Sequence, residues 1–599
     1  MTEFRNPNQE PGMDRRLLLI FALTFLVLLA FQPMLTKYLG RPQPAPPPAQ
    51  PQPAAAAAPA PTVPVIAPAP KAGVTQAVAE SETVVENGLY RITFSNKGAL
   101  VKSWILKKYD DDKGHPLDLV NRTAQVEVQQ NGQNVWQPAV EKYGYPMSLW
   151  TYDEGLRGKL NSALYVASAT GHLQAPADLK FEYAEGDLVV RKTFHFDHSY
   201  LVRIRTEVAN KGQFLQAYPA WPAGFGDQIL PTAYAVGKIE YDYGDKATRQ
   251  DIKKVSGGET IRGPFNWAGP ADQYFGAVFL PDRPESAAMV TLHWGAVIPK
   301  NPEKPDLRET TPVPLVGAAV GDASGPTSGR WFVGPKVVDV LDSVHSTPAP
   351  GQSAGPNLGA MIDFGFFGWV GKPLFIWLKW TQQHMVANWG WAIALQTIII
   401  NLALLPLRLT SMKSALKMQK VQPMVNDIKK KYEKLPMKDP RRAEMNREVS
   451  AVFREHGVNP VGGCLPMVIQ LPFLWAFYTM LSVAIELRHA PWLWIKDLSA
   501  PDPYHILPIT IIVSTWGMQR MTPSPGMDPN QARMMNIMMP VMLGIFSWAV
   551  AAGLGIYWLL GTLIFIVTQL GLNRTSLGQE MRTIAEKRAH RKASRAEKR

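Results

Sequence analysis

Residues 391–407 decide the fold, and they read WAIALQTIIINLALLPL. The stretch is apolar enough to enter a bilayer, yet Thr397 and Asn401 lie within it and Arg408 follows it directly. Asn401 and Arg408 are seven residues apart, nearly two helical turns, so both are predicted to share one helix face with Thr397. A polar stripe on a membrane helix is costly unless it faces other helices or water. The sequence therefore predicts a membrane helix whose polar side is turned inward.

Charge is distributed around the apolar stretches in a manner typical of membrane proteins. The 599 residues carry a formal net charge of +13, and the basic residues gather beside the hydrophobic runs, which favours membrane topology over binding to DNA. Residues 1–16 are predicted to be cytoplasmic, and the apolar run at 17–35, with no clear cleavage site after it, is predicted to be an uncleaved transmembrane anchor. Residues 36–83 form a Pro/Ala-rich linker that cannot build a core.

Residues 84–345 carry a different pattern. Short runs such as 89–94, 188–196 and 201–208 alternate between apolar and polar residues, and Asn-Lys-Gly spacers at 96–98 and 210–212 separate strands. Alternation with turn-rich spacers indicates half-buried antiparallel strands. We therefore predict a large antiparallel β-sandwich domain.

The second half of the chain predicts a helical membrane domain. Residues 359–386 are rich in aromatic residues and favour an amphipathic helix at the membrane interface, with a packing helix of the sandwich as the alternative. Five further spans are predicted, each near the length needed to cross a bilayer: 389–407, 461–485, 504–519, 532–551 and 554–572. With the anchor, these make a polytopic α-helical protein of six spans, both of whose termini are cytoplasmic.

Two basic segments flank these spans on the predicted cytoplasmic side. Residues 408–457 are predicted to form a helical hairpin, with Met424 and Ile428 on its first arm and Met445 and Phe453 on its second; a solvated loop is the alternative. Residues 573–599 form a basic tail, which suits contact with ribosomal RNA or anionic phospholipid, or serves only as a topology signal. The candidate contact residues in the tail are Arg588, Arg591, Lys592 and Arg595.

The sequence gives no sign of enzymatic chemistry. It lacks a Walker loop, a dinucleotide-binding glycine motif, a zinc-protease motif and a nucleophile elbow. The single cysteine, Cys464, has no neighbouring charge to activate it and is predicted to be a packing residue. The predicted spans have no carboxylate near their centres, which argues against a proton or cation pump. We predict no catalytic residue, no metal site and no cofactor.

The chain resembles the YidC/Oxa/Alb family of membrane protein insertases, in the Gram-negative form with a large periplasmic domain. The resemblance rests on motifs that run in the family's order from residue 388 to the last predicted span. They are NWG at 388–390, Pro406, Met418, QP at 422–423, NPVGGCLP at 459–466, Gln470, Pro472, ELR at 486–488, WI at 494–495, DLSA at 497–500, DPY at 502–504, ILP at 506–508, GL at 553–554, Tyr557 and Gln569.

The resemblance implies a mechanism without nucleotide or metal in the bacterial inner membrane. A hydrophilic groove, open to cytoplasm and lipid, would receive the polar segment of a nascent membrane protein while its apolar helix moves into lipid. The implied partners are nascent membrane proteins, the Sec translocon with its accessory subunits, the ribosome and anionic phospholipids. The β-sandwich would be periplasmic and similar to sugar-binding supersandwich folds without known catalysis. The groove residues would be Thr397, Asn401, Arg408, Gln470, Tyr557 and Trp558.

One position departs from the family's pattern. The family usually carries an arginine in its first core span, at the position that Asn401 occupies here. On a straight helix, Arg408 would lie on the same face and ~10 Å nearer the cytoplasm. The hypothesis is that Arg408 supplies the positive potential that Asn401 does not.

Two other functions are compatible with parts of the sequence. A solute transporter or channel would use the spans, but it usually needs an internal repeat or charged residues at the membrane centre. A membrane-anchored periplasmic glycan-binding protein would use the sandwich, but it would leave the five-span core without a purpose.

Overall fold

The computed structural model describes residues 74–243, 246–301, 306–348, 354–432, 435–436, 439–457, 465–521, 529–575 and 579. The chain separates into two compact units, Met1–Met361 and Ile362–Arg599. Several predicted features lie outside the described residues: the anchor at 17–35, nearly all of the linker, Cys464, and the tail residues Arg588, Arg591, Lys592 and Arg595. The side chain of Gln470 also lies outside them.

The first unit is built from short strands. They are β1 (Glu82–Glu86), β2 (Tyr90–Ser95), β3 (Leu100–Asp110), β4 (Pro116–Asp118), β5 (Gln125–Gln130), β6 (Gln133–Pro138), β7 (Ser148–Trp150), β8 (Val166–Ala167), β9 (Gly171–Gln174), β10 (Ala177–Glu185), β11 (Leu188–Phe196), β12 (Leu201–Asn210), β13 (Gln213–Phe214), β14 (Tyr218–Trp221), β15 (Lys238–Tyr243), β16 (Lys246–Asp251), β17 (Thr260–Arg262), β18 (Ala268–Ala271), β19 (Phe275–Pro281), β20 (Ala287–Pro299), β21 (Thr310–Asp322) and β22 (Thr327–Pro335).

These strands form three sheets. The five-stranded sheet has the order β4-β3-β2-β1-β9, and the seven-stranded sheet has the order β6-β5-β20-β21-β14-β7, with β17 paired to β20. The ten-stranded sheet has the order β16-β15-β18-β19-β22-β12-β11-β10-β8, with β13 paired to β12. The pair β1–β9 is parallel, so the prediction of a purely antiparallel sandwich was too simple, although the predicted β-rich domain is confirmed.

Short helices connect the strands of the first unit. They are α1 (Ala139–Tyr143), α2 (Glu154–Ser162), α3 (Pro231–Tyr234) and α4 (Val338–Ser343), with 3-10 turns at Ile252–Lys254, Pro284–Ser286 and Leu358–Met361.

The core of the first unit follows from the alternation in the sequence. Strand β11 has the predicted bounds, and its residues alternate between buried and more accessible positions along its whole length. Phe194 lies in a cluster of rings, with its centroid 4.9 Å from that of Phe94 and 6.1 Å from that of Phe181. Inward-facing aromatic side chains of this size contribute much of the apolar area that a sandwich buries.

A buried lysine connects the three sheets. Lys192 on β11 is only 1% exposed, and its ammonium donates to the carbonyl oxygens of Gly98 at 2.8 Å, Ala99 at 3.0 Å and Met147 at 2.9 Å. Gly98 and Ala99 form the turn between β2 and β3, and Met147 immediately precedes β7. Burial lowers the pKa of Lys192 from 10.5 to about 7.

The second unit is helical. Its helices are α5 (Gly368–His384), α6 (Trp389–Ala403), α7 (Leu405–Lys431), α8 (Arg441–Glu455), α9 (Leu465–Val483), α10 (Ile506–Met521), α11 (Pro529–Ser547) and α12 (Ala552–Asn573), with a 3-10 turn at Ile485–Leu487. Helix α6 packs against α12, α10 packs against both α11 and α12, and α5 packs against α9 and α6.

The predicted interfacial helix begins later than expected. The prediction started at residue 359, but residues 358–361 form a 3-10 turn and Gly365 has a left-handed φ of +70° before α5 begins at Gly368. A left-handed glycine interrupts a right-handed helix. Helix α5 buries Leu374, Phe375 and Leu378, and it packs against α9 and α6.

The first predicted core span is bent. The prediction treated 389–407 as one straight helix, but α6 ends at Ala403 and continues into Leu405–Ser411 of α7 at an angle of 52°. Pro406 explains the bend, because proline has no N–H for the carbonyl four residues earlier and disfavours helical backbone in the residue before it. The straight-helix geometry that placed Arg408 on the face of Asn401 therefore does not apply.

Length and apolar composition identify few helices that reach across a bilayer by themselves. Among the described residues, α12 meets both requirements alone, and α6 meets them only together with the bent segment Leu405–Ser411. Shorter apolar helical stretches occur at Pro472–Val483 and Asn536–Ser547.

Candidate functional site

A polar chain of hydrogen bonds runs along the inner side of α6. Thr397 and Asn401 are 0% and 3% exposed. The Thr397 hydroxyl donates to the carbonyl of Ile393 at 2.6 Å, and the Asn401 amide donates to the carbonyl of Thr397 at 2.7 Å. The amide oxygen of Asn401 is buried and accepts no hydrogen bond from any described residue. A buried acceptor of this kind favours water or another donor beside it.

Further polar side chains are buried on the surrounding helices. Several of their hydroxyl groups donate to carbonyls of their own helix, as those of Thr479, Ser547 and Thr562 do. The buried polar residues on these helices include Gln396, Ser411, Thr479, Thr515, Ser547, Thr562 and Gln569.

Arg408 and Tyr557 lie together in the interior of the second unit. Arg408 is 7% exposed at the start of α7, and Tyr557 on α12 is 5% exposed. The helix of Tyr557 packs against α7, and the Tyr557 ring stacks on Phe477 of α9, with centroids 4.3 Å apart and an interplanar angle of 14°. Helices α7, α9 and α12 therefore contact one another in the unit that buries Arg408.

Trp558 contacts a different neighbour from Tyr557. It is partly exposed, and its ring meets Phe546 of α11 edge-on at a centroid distance of 6.1 Å. Successive residues of a helix point about 100° apart, so Tyr557 and Trp558 face different sides of α12. Trp558 therefore takes no part in the stacking of Tyr557 on Phe477.

Gln396 has a position that the sequence analysis missed. Its side chain is 0% exposed, and its amide donates to the carbonyl of Leu374 at 2.9 Å, joining α6 to α5. The available signal was a glutamine inside an apolar run, directly before Thr397. A polar side chain in that setting usually bonds to a neighbouring helix.

A loop closes one end of the helix bundle. Asn388 accepts from the N–H of Gly390 at 2.9 Å, which caps α6, and its amide donates to the carbonyl of Pro491 at 2.7 Å. The carbonyls of Leu498 and Ala500 accept from Gly553 and Ala552 at the start of α12, at 3.0 and 2.8 Å.

Asp502 joins the same loop to α10 through hydrogen bonds. Its carboxylate is 3% exposed, and it accepts from the backbone N–H of Leu507 at 2.7 Å and from the indole N–H of Trp494 at 3.1 Å. The N-terminal ends of α6, α10 and α12 are thereby held by one connection.

Helices α7 and α8 contact each other through Glu448. Its carboxylate accepts from Lys431 at 2.9 Å and from the Tyr432 hydroxyl at 2.8 Å, and the hydrogen bond from Lys431 lowers the pKa of Glu448. Val421 and Val425, which have i, i+4 spacing, are buried on α7, and Tyr432 is buried just after its end.

The candidate hairpin residues differ in their exposure. Met424 is 47% exposed, because it precedes Val425 by one residue and so points about 100° away from the buried face. Ile428, Met445 and Phe453 are partly buried.

The described residues offer no metal site. Nowhere among them do three or more His, Cys, Asp or Glu side chains come close enough to hold an ion.

Comparisons with known proteins also divide the chain into two parts, with a boundary inside α5. Residues 82–377 match the family described as YidC periplasmic domain, and residues 380–579 match the family described as 60Kd inner membrane protein. The chain is 32% identical over 519 residues to the membrane protein insertase YidC of Citrifermentans bemidjiense, covering 83% of this chain and 86% of that one. It is 33% identical over 507 residues to the protein of the same name from Geobacter sulfurreducens, covering 81% and 85%. A crystal structure of an active YidC insertase with its first transmembrane domain resolved covers 82% of this chain and 93% of its own, at 18% identity and a TM-score of 0.32.

Proposed function

Because the chain belongs to the YidC family of membrane protein insertases, we propose that it inserts nascent membrane proteins through a polar groove in its second unit. It is an inner-membrane protein whose β-rich unit is periplasmic. The observation that carries the proposal is the buried polar side of α6, where Thr397 and Asn401 lie within an apolar helix bundle. The task is a transfer between phases and needs no catalytic residue.

The groove lowers the largest free-energy barrier to insertion, which is the transfer of polar groups into hydrocarbon. A polar segment in hydrocarbon loses its hydrogen bonds to water, at several kcal/mol for each unsatisfied backbone group. A groove lined by Thr397 and Asn401 offers donors and acceptors part of the way across the bilayer. The free amide oxygen of Asn401 supports this assignment, since it can accept from a substrate N–H or from water.

Transfer of the substrate's apolar helix into lipid completes the step. Each Å² of apolar surface removed from water contributes about 25 cal/mol, so a hydrophobic span drives its own exit from the groove. The groove lowers the barrier, and the substrate supplies the driving force. The same lipid-facing surface would let the protein act as a chaperone for helices that have not yet packed.

We assign the positive charge of the groove to Arg408. Asn401 is neutral, whereas Arg408 is a buried cation at the start of α7. Burial strengthens the field of a charge because less water screens it. An arginine at this place would attract acidic residues in the polar segment of a substrate. Trp558, on the neighbouring face of α12, would contact the substrate from the side of α11.

The proposed membrane arrangement keeps six spans, with the contacting helices α7 and α8 as a cytoplasmic hairpin. The excess of basic residues in 408–457 and 573–599 supports a cytoplasmic location for both segments. Met424, exposed on α7, together with Ile428, Met445 and Phe453, would meet arriving substrate. The basic tail would contact the ribosome or anionic phospholipids, and the protein would act alone or with the Sec translocon.

The transporter alternative is not favoured. The relatives that share about a third of their residues with most of this chain are named insertases. An alternating-access transporter usually also carries charged residues at the membrane centre, whereas the described carboxylates of this unit lie in loops and at α7 and α8.

Reconstitution tests the function directly. The purified protein would be placed in liposomes and supplied with a ribosome-translated substrate that has one or two spans. We expect the protected, inserted form to appear faster than in protein-free liposomes, as measured by protease digestion. An unchanged insertion rate contradicts the proposal.

The role of Arg408 is tested in the same assay. Arg408→Ala and Arg408→Met are expected to slow the insertion of a substrate with an acidic translocated segment more than Asn401→Leu does, because only Arg408 carries a charge. Arg408→Lys should retain most of the activity. The matched control is Arg447→Ala, which removes an exposed arginine of α8. Normal insertion by both Arg408→Ala and Arg408→Met would show that the charge is not required.

A further inference from the structure

The loop between α9 and α10 carries an exposed apolar tip. Trp492 and Ile495 exchange two backbone hydrogen bonds of 2.8 Å each, which makes Trp492–Ile495 a tight two-residue turn. We call these four residues the tip turn. Leu493 at its corner is 64% exposed. An exposed leucine at the end of a rigid turn has no role in the packing of the protein itself.

The backbone of the tip turn is unfavourable for the residue it carries. Leu493 has a φ of +50°, in the left-handed region that glycine or asparagine normally occupies and that is unusual for a bulky side chain. Glycine would relieve the backbone but would remove the apolar side chain. Strain kept at an exposed position points to a use for that side chain.

The tip turn is rigidly attached to the ends of membrane helices. The ring of Trp492 fills the space beside Gly390, where an added Cβ would come within 2.2 Å of Trp492 Cγ. The same ring meets Trp391 edge-on at a centroid distance of 5.4 Å. Pro491, directly before the turn, is bound by the Asn388 side chain that caps α6. These contacts therefore hold the tip turn beside the N-terminal end of α6.

The residue types around the tip turn are typical of the lipid headgroup region of a membrane. Trp391 and Tyr504, at the same end of the bundle, are 51% and 64% exposed, and Lys496 next to the turn is exposed. Exposed tryptophan and tyrosine side chains at the ends of membrane helices lie at the level of the lipid headgroups. A nearby lysine can reach lipid phosphate while its carbon chain stays among apolar groups.

We propose that the tip turn is inserted into the lipid headgroup interface, with Leu493 as the side chain that enters the acyl-chain boundary. The leaflet is the one opposite the basic segments 408–457 and 573–599. The tip turn thus binds the closed end of the helix bundle to lipid. The free energy gained by burying the apolar surface of Leu493 offsets the strain of its backbone.

The test places a dye at the tip of the full-length protein. The single native cysteine is replaced by Cys464→Ser, Leu493→Cys is labelled with an environment-sensitive fluorophore, and the protein is reconstituted into phosphatidylcholine–phosphatidylglycerol vesicles. Brominated lipids then report depth, with the bromine either near the glycerol end or near the end of the acyl chains. The control is Val135→Cys on β6, which is exposed in the periplasmic unit.

We expect blue-shifted emission from the dye at position 493 and a larger loss of intensity with bromine near the glycerol end. The dye at position 135 should keep its emission in water and lose no intensity. Water-like emission at position 493 without quenching overturns the proposal, and stronger quenching by bromine at the chain ends does so too. If Leu493→Cys fails to fold, Tyr504→Cys takes its place with the same expected and contrary results.

Discussion

Lys192 shows what the alternating sequence pattern of a strand predicts about a single residue and what it does not predict. Alternation along β11 places position 192 on the same side as Val190 and Phe194, which are buried. The pattern therefore indicates an inward lysine, but it does not reveal the three carbonyls that receive it. Those carbonyls come from two distant turns, and no spacing within β11 encodes them.

Replacement of Lys192 is expected to destabilise the periplasmic unit. Lys192→Met keeps the length of the side chain but leaves three buried carbonyls without their donor, at a net cost of about 3 kcal/mol. Urea unfolding followed by tryptophan fluorescence measures this loss. Lys180→Met, an exposed lysine on the neighbouring strand β10, is the control and should leave the unfolding midpoint unchanged. Equal midpoints for Lys192→Met and wild type would contradict the role of the ammonium.

The same residue predicts a dependence of stability on pH. The pKa of Lys192 is lowered to about 7 in the folded protein, whereas the unfolded chain keeps the ordinary value of 10.5. Between these values the unfolded state binds more protons, so stability should rise with pH, by at most about 1.4 kcal/mol per pH unit. The difference in unfolding free energy between wild type and Lys192→Met should therefore grow from pH 7 to pH 9. A constant difference would exclude this titration.

At the scale of elements, helix type was predictable and helix continuity was not. The apolar run around Thr397 is helical, as expected, but Pro406 divides it into α6 and α7. The proline was visible in the sequence as a motif residue, and its effect on the backbone was not taken into account. The direction of α7 after the bend and the stacking of Tyr557 on Phe477 depend on how the helices pack, so no local sequence pattern predicts them.

Replacing glycine by alanine is expected to have opposite effects on stability at two positions, because only one of the two glycines is closely packed. Gly390→Ala places a methyl group against the ring of Trp492, so we expect a loss of stability of about 1–3 kcal/mol from overpacking. Gly517→Ala, in a helix where nothing lies within 4 Å of the added atom, should leave stability unchanged or raise it by about 0.5–1 kcal/mol. Thermal unfolding in one detergent compares the two. A tolerated Gly390→Ala would show that the loop can move away from α6.

At the scale of the whole molecule, the proposed insertion machinery lies in one unit. Thr397, Asn401, Arg408 and Tyr557 all belong to Ile362–Arg599, and the β-rich unit forms its own core. Composition and charge were enough to predict this division, because strand alternation and long apolar runs occupy different halves of the sequence. The identity of the groove residues stays a prediction until insertion is measured.

Deletion of residues 84–344 tests the division of labour. We expect the shortened protein to retain insertion of a small two-span substrate in liposomes, because the proposed groove residues remain. Arg408→Met in the shortened protein is the matched control and should reduce that activity. Loss of insertion on deletion, with the helical unit still folded, would assign the periplasmic unit a direct part in transfer.

The loop that holds α6, α10 and α12 together also constrains how the protein is made. The carbonyls of Leu498 and Ala500 form these hydrogen bonds only after Gly553 and Ala552 have been synthesised. In the same way, α6 has no α12 to pack against until α12 has been synthesised. A ribosome delivers α12 last among the described helices. An unfinished chain therefore carries the polar side of α6 without the helix that packs against it, until α12 has been synthesised.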